Sequence, residues 1–535
     1  MLLIPYHSPF IRSIDTMEMK FACLFLAGIA LVGTIIQVDA FVPHHNQQNA
    51  VANAISRLEQ PTSSNFVIYA TNKKLEDENK RAYPQQTPHS GRHFLPSHPA
   101  YQKRSRIKRM TSKIMNQFRR HPYRNKQKRF MEGWYYRVTL PEENVSFAFI
   151  FSVEDPSITK DSDLALSCVQ VMGPNDEYVV QADSDHRKFW AWQGSQALGC
   201  IFEHDQSDDN GQNEYLDALD PDDFEKNVKS GFQMMPNRLQ GKVNGHDGSL
   251  GGVLDGQGIP RTCDFDMSIR PLSGWGDDED ASLSGKSNQK STAGWLASYS
   301  VFEPHWQVTL ADARATGHAI WNGKRYDFKD SPFYAEKNWG GSFPSKWYWV
   351  QCNSFDGFTS PDGSSRLSLT AGGGIRKVPP GKTEDLGMVC IHYNGLLYEA
   401  VPWTGEMQWN VDPWGSWSFS ARCTSGKRKF EVQVDAKCEG DGVVLRAPTE
   451  DLGMSYFCRD SFYANIELSM YELQWDKTQK KYIRGDPIIE NVKSINRTGA
   501  VEIGGGPYWN PWKGESKMRQ PMKALVKLPY LFQNR

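Results

Sequence analysis

Much of what marks an enzyme sequence at first reading is missing from this chain. Nine cysteines are scattered through 535 residues with no Cys-x-x-Cys pair, a spacing that gives neither a disulfide framework nor a zinc site. No His-Glu-x-x-His string occurs; His89 and His93 stand four apart, and His44-His45 lie near the N-terminus. A metal site is therefore not expected. Two triple-glycine runs, Gly372-Gly373-Gly374 and Gly504-Gly505-Gly506, lack the Gly-x-Gly-x-x-Gly spacing and the helix that must follow it. They are read as bulges or tight turns, not as phosphate cradles. A serine nucleophile elbow is also absent, and nothing calls for a redox cofactor; none is expected. A formal net charge of −1 leaves no global signal for nucleic acid. Long stretches with a 3.6-residue period are scarce.

What the chain does have is aromatic residues, with 17 tryptophans. They suit a large apolar binding surface, and a β-rich core uses them as well. From Phe130 onward the pattern is that of strands. Trp134–Leu140 and Val145–Val153 flank a turn at Pro141–Asn144, and Leu164–Met172 and Tyr178–Gln181 flank Gly173-Pro174-Asn175. Further strands are expected at Leu367–Thr370, Met388–Tyr393, Ser416–Arg422, Phe430–Ala436 and Asn465–Leu473, with Gly or Pro between most of them. Pro521–Leu528, with proline at its first position, is the best helix candidate. The sum is an all-β protein of barrel or sandwich type with few helices.

The N-terminal part reads differently. Lys20 precedes a 16-residue apolar run, Phe21–Ile36, and Val38 and Ala40 supply the small residues a signal peptidase reads. The run is short of the roughly 20 residues a membrane span needs. Residues 1–40 are thus a signal-peptide-like segment, and 41–82, rich in Asn and Gln, a transit or disordered one. Between Tyr101 and Arg129 stand twelve Lys/Arg and no acid. A solvated basic loop and attraction to an anionic membrane surface are the two readings of this stretch.

Chemistry-bearing residues concentrate in Ser331–Asn353, SPFYAEKNWGGSFPSKWYWVQCN, which holds seven aromatics, one acid and two lysines. Gly340-Gly341 and Pro344 make it a loop followed by the strand Trp347–Cys352. Tyr334 and Glu336 share a face if the segment is extended, and Glu336 then lies among Tyr334, Trp339 and Trp347. A carboxyl group in such surroundings is pushed toward its protonated form. The alternative is an ordinary ion pair with Lys337 or Lys346.

The string EKNWGGSFPSKWYWVQCN resembles the tocopherol cyclase family. So do TPHSGRHF (Thr87–Phe94), FMEGWYYRVTLP (Phe130–Pro141), STAGWLASYSVFEPHWQ (Ser291–Gln307) and AVEIGGGPYWNPWKG (Ala500–Gly514), in the same order. Residues 95–129 stand between the first two blocks as an insertion. The resemblance, which extends to lipocalin-like carotenoid hydratases, implies two lipocalin-like barrel domains, 83–310 with the insertion and 311–535. Barrels of that kind close around one hydrophobic ligand. It also implies a prenylated hydroquinone substrate, 2-methyl-6-phytyl-1,4-benzoquinol or its dimethyl relative, cyclised by alkene protonation and phenol attack. A non-catalytic lipid carrier and a carotenoid-type hydratase are the rival functions. Ala40-Phe41-Val42-Pro43 resembles the junction of bipartite plastid-targeting sequences in algae, which implies a plastid protein on a thylakoid or plastoglobule surface.

The reaction requires a protonated acid in a dry pocket, aromatic faces for a cation, and an acceptor for the phenol proton. Glu336 is the first candidate acid and Glu132 the second; His305 is a candidate to orient an acid or take the proton. Trp134, Tyr135, Trp306, Tyr334, Trp339, Trp347 and Trp349 are expected around the substrate, with Lys337 and Asn338 on the quinol oxygens. Each aromatic taken alone fits a core position better than a cation-stabilising one; as a set, some should line the cavity.

Overall fold

The computed structural model describes residues 130–532, apart from 156–162, 186–187, 192–196, 206–217, 236, 251, 279–291, 293, 295–303, 379–381 and 507–509. The targeting segments, the Thr87–Phe94 block and the basic insertion lie outside the described residues.

The described chain is almost entirely strand, in two antiparallel sheets. The first is built from β1 (Met131–Leu140), β2 (Val145–Glu154), β3 (Leu166–Met172), β4 (Tyr178–Asp183), β5 (Phe189–Ala191), β6 (Leu198–His204), β7 (Val228–Met235), β8 (Arg238–His246), β9 (Pro260–Ser273), β10 (His305–Trp321) and β11 (Lys324–Gly340). A short helix, α1 (Pro221–Asn227), precedes β7. The second sheet takes β12 (Trp347–Cys352), β13 (Leu367–Val378), β14 (Lys382–Tyr393), β15 (Leu396–Ala400), β16 (Gly405–Val411), β17 (Ser416–Cys423), β18 (Phe430–Cys438), β19 (Val443–Thr449), β20 (Gly453–Asp476), β21 (Lys481–Lys493), β22 (Gly499–Gly504) and β23 (Trp512–Glu515). The expected C-terminal helix is α2, Met522–Phe532. Among the described residues no helix is long and apolar enough to cross a membrane.

The order of the first sheet is β4-β3-β2-β1-β11-β10-β9-β8-β7-β6-β5, and β4 also pairs β8 at Val180 and His246. That bridge closes the eight strands from β4 to β8 into a ring, the strand count of small up-and-down barrels. Strand β10 spans the expected division near Leu310 and β11 lies beyond it, yet both belong to this sheet; the passage to the second sheet is residues 341–346.

Period-two alternation decides what each face does. On β1, Trp134, Tyr136 and Val138 point into the first barrel, and on β11 Phe333 and Ala335 do the same. Close ring pairs lie in that interior: Phe151 stacks on Phe232 at 4.1 Å, and Phe149 meets Phe265 at 4.2 Å with the rings tilted. Tyr348, Val350 and Cys352 of β12 point into the second sheet's own core with Trp409, Trp417 and Phe419. The opposite faces of β1, β11 and β12 meet in a third cluster between the sheets, with Tyr334, Trp347, Trp349, Met388 and Trp403. Arg137, from the outward face of β1, fastens this seam. Its guanidinium donates to Gln351 Oε1 at 2.6 Å, Ser146 Oγ at 3.0 Å and the Thr498 carbonyl at 2.6 Å.

The inward positions of the first barrel carry Phe, Tyr and Trp packed against one another, and the inner face of the second sheet carries Tyr348, Trp409, Trp417 and Phe419. A cavity lies between the two sheets.

Candidate active site between the sheets

A cavity of about 250 Å³ opens between the outward face of β1–β2 and β11 and the facing surface of β12, β13, β14, β19 and β22. Its wall is mostly apolar. Tyr135, Ile150, Trp306, Trp347 and Trp349 meet Leu386, Met388, Trp403 and Met454 around it. Gly372 and Gly374 supply a side-chain-free strip. A Cβ at Gly372 would meet the Trp306 ring at 3.1 Å and one at Gly374 would meet Pro344 at 3.2 Å. These glycines are neither bulge nor turn, contrary to the expectation from their sequence. They pair in unbroken register with Trp347–Trp349 on one side and Leu386–Met388 on the other. At the second glycine run Gly505 and Gly506 take φ of 100° and 93°, and both N–H groups donate to the Phe457 carbonyl of the neighbouring strand, the two-against-one contact of a bulge. The run's first member, Gly504, is the floor beneath the Trp347 ring, which occupies the space a Cβ would need.

Glu336 reaches this cavity from β11. Tyr334 donates to its Oε2 at 2.6 Å and Trp349 Nε1 to the same oxygen at 3.1 Å, while Asn338 Nδ2 stands 3.3 Å from Oε1. Oε2 thus holds two donors and Oε1 one. Burial raises the Glu336 pKa, against the hydrogen bonds from Tyr334, Asn338 and Trp349 that favour the carboxylate. The same donors stabilise the anion once the proton has left, which is what an acid facing a weak base needs.

The expected shell around Glu336 is partly redrawn. Tyr334 and Asn338, two residues either way along the strand, share its face. Trp339, three along, points into the first barrel, where its ring stacks on His305 at 4.9 Å. Trp347 turns to Glu502 and donates its Nε1–H to that carboxyl. Trp349 and Trp306 take the places given to Trp339 and Trp347.

Four candidates stand apart from the cavity wall, namely Glu132, Tyr334, Lys337 and Trp339. Glu132 and Lys337 form a 2.6 Å ion pair inside the first barrel, each fully buried. The ammonium also sits 5.0 Å from the Trp339 ring and 5.6 Å from that of Trp134. Burial pushes the Glu132 carboxyl up to about 7 and Lys337 down, although each partner opposes the shift. The pair faces away from the space beside Glu336, so Lys337 is not placed to meet a quinol there. Trp134 and His305 lie at the edge where the barrel end meets the cavity.

Glu502 was missed by sequence reasoning. It lies in the resembling block AVEIGGG, but strand alternation alone does not say which sheet a strand at residue 502 faces. In the fold it lines the cavity, and burial pushes its carboxyl up to about 7 against the Trp347 hydrogen bond. Asp460 of β20 stands opposite it in register. Burial and the charges of Glu502 and Asp176 hold Asp460 well above the carboxylate range.

The described residues thus form an all-β fold with an aromatic-walled, mostly apolar cavity and buried carboxyls beside it whose pKa values burial raises. A family model for tocopherol cyclase-like proteins matches residues 128–505. Over 412 residues the chain is 37% identical to a chloroplastic tocopherol cyclase of Zea mays, covering 75% of this chain and 80% of that protein. A probable chloroplastic tocopherol cyclase of Oryza sativa subsp. japonica is 37% identical over 409 residues, covering 74% and 80%. The chain belongs to the tocopherol cyclase-like family.

Proposed function

We propose that this protein closes the chromanol ring of a prenylated hydroquinone, 2-methyl-6-phytyl-1,4-benzoquinol or 2,3-dimethyl-6-phytyl-1,4-benzoquinol, as an intramolecular lyase of vitamin E biosynthesis. The observation that carries the reading is Glu336, a buried carboxyl with a raised pKa in an aromatic-walled cavity. Its proton passes to the first double bond of the prenyl chain. The tertiary cation that results lies against the faces of Trp306, Trp349 and Tyr135, each contact contributing roughly 0.5–2 kcal/mol. A lone pair of the phenol oxygen then forms the C–O bond and the phenol proton leaves. Substrate and product are isomers, so the step balances with no oxidant or reductant. Holding the oxygen against the cation in a confined cavity supplies the orientation such a closure needs, a gain of up to roughly 7–11 kcal/mol in favourable cases.

Purified protein incubated with the phytyl quinol and no added cofactor is expected to yield the chromanol, read by chromatography. Quinol bound but unchanged would instead identify a lipid carrier, and a tertiary alcohol would identify a hydratase.

The same reading places the protein in the plastid, at a thylakoid or plastoglobule surface, after passage through a bipartite presequence. What supports it is the apolar run Phe21–Ile36 and the Ala40-Phe41 junction, together with the chloroplastic relatives. N-terminal sequencing of protein from isolated plastids should begin beyond Ala40; an intact 1–40 segment would count against it.

A further inference from the structure

Three carboxyls, not one, gather at the seam between the sheets, and the reaction has a second proton to place. Trp349 of β12, Glu502 of β22 and Asp460 of β20 form a row across the second sheet, each opposite the next in register. Glu502 is the member of the Glu502–Asp460 pair that lines the cavity; Asp460 lies behind it and has no side-chain hydrogen-bond partner for either oxygen. From the other sheet Tyr135 comes down on this row. Its ring meets that of Trp349 edge-on at 5.3 Å, and its buried hydroxyl has no hydrogen-bond partner of its own. That hydroxyl is close enough to Asp460, Glu336 and Glu502 to feel the charge of all three.

We propose that Glu502 is the base of the site, the carboxylate that takes the phenol proton as the ring closes, while Asp460 behind it keeps the pair's other proton. This rests on the cyclase reading above. Two carboxyls held side by side in a dry interior do not both ionise, so the resting pair carries one proton and one charge. The Trp347 N–H on Glu502 places the charge on the cavity side. In the forward step the O–H bond of Glu336 breaks and a C–H bond forms on the alkene. The phenol oxygen forms the C–O bond, and its O–H proton passes to Glu502. The site is then neutral at Glu502 and charged at Glu336. The proton returns from Glu502 to Glu336 before the next turnover. The chain is thus ready for the next quinol with no net exchange of protons with solvent.

A split of the two proton transfers tests this. A quinol methylated on the attacking oxygen can be protonated at the alkene but cannot cyclise, so in D₂O it reports the acid step alone as deuterium entering the prenyl chain. Glu502→Gln should lose cyclisation of the phytyl quinol by about 10²-fold or more, yet incorporate deuterium into the methylated analogue within about twofold of wild type. Glu336→Gln should lose both. Retained incorporation also shows that the Glu502 variant is folded. Glu502→Asp, which keeps a carboxyl, should cyclise measurably faster than Glu502→Gln. Cyclisation by Glu502→Gln at the wild-type rate overturns the proposal. So does loss of both reactions in that variant while wild type performs both, or an Asp variant no faster than the Gln one. Failure of wild type itself to form chromanol removes the cyclase reading, a result distinct from any of these.

Discussion

Glu336→Gln should abolish cyclisation while leaving the fold and quinol binding close to wild type. The amide keeps the shape of the side chain, and its oxygen can still accept from Tyr334 and Trp349, which now hold Oε2 at 2.6 and 3.1 Å. What it cannot do is deliver a proton. Loss of a general acid typically costs about 10²–10⁴ in rate. The loss here should reach the upper end or pass it, because an alkene is a far weaker base than the groups on which such figures rest, and water is too weak an acid to replace the carboxyl. Binding is measured separately, by quenching of tryptophan fluorescence, since Trp306, Trp347 and Trp349 line the cavity. The expected split is an unchanged dissociation constant with kcat lost. A variant that cyclises at the wild-type rate would move the acid elsewhere, and the carboxyls on the page that lie next in reach are Glu502 and, behind it, Asp460.

How far the sequence foretold this site depends on which contacts are made within one strand. Tyr334, Glu336 and Asn338 stand two apart, and an extended segment must present them together, so their meeting was legible. The strand Trp347–Cys352 was read with its observed bounds, because a run of aromatic and β-branched residues after Gly-Gly and Pro has few other options. The all-β class and the C-terminal helix followed from the same patterns. Three things were not legible. Trp339 was placed with Glu336 on proximity in sequence, whereas a spacing of three in a strand turns the side chain to the opposite face. Glu502 and Asp460 meet Glu336 only because β22 and β20 pair beside β12, and strand order across a sheet is not written in any local pattern. The place of the cavity was also missed. A barrel predicts space within it, whereas the first barrel's inward positions carry Phe147, Phe149, Phe151, Trp134 and Tyr136, all fully buried, and the cavity described above lies between the sheets.

Glu132, the other acid singled out in the sequence, should prove to be a stability residue. Glu132→Gln leaves the Lys337 ammonium without its counter-charge in a fully buried place, where the two now stand 2.6 Å apart. Breaking a buried pair from one side typically costs about 3–5 kcal/mol, because the surviving charge is stranded in a medium that solvates it poorly. Lys337 can shed part of that cost by losing its proton, a course made easier by the burial that already holds its pKa down. The rings of Trp134 and Trp339 offset a further part while the ammonium remains charged. The double variant Glu132→Gln/Lys337→Met removes both charges and keeps the volume of each side chain, so it should recover most of the loss. Urea unfolding followed by tryptophan fluorescence measures both variants. The double variant should also retain cyclisation, because neither side chain forms part of the cavity wall. A single variant as stable as wild type would show that the pair contributes nothing to the fold. A double variant that unfolds normally but no longer cyclises would return Glu132 to the chemistry, acting from inside the first barrel.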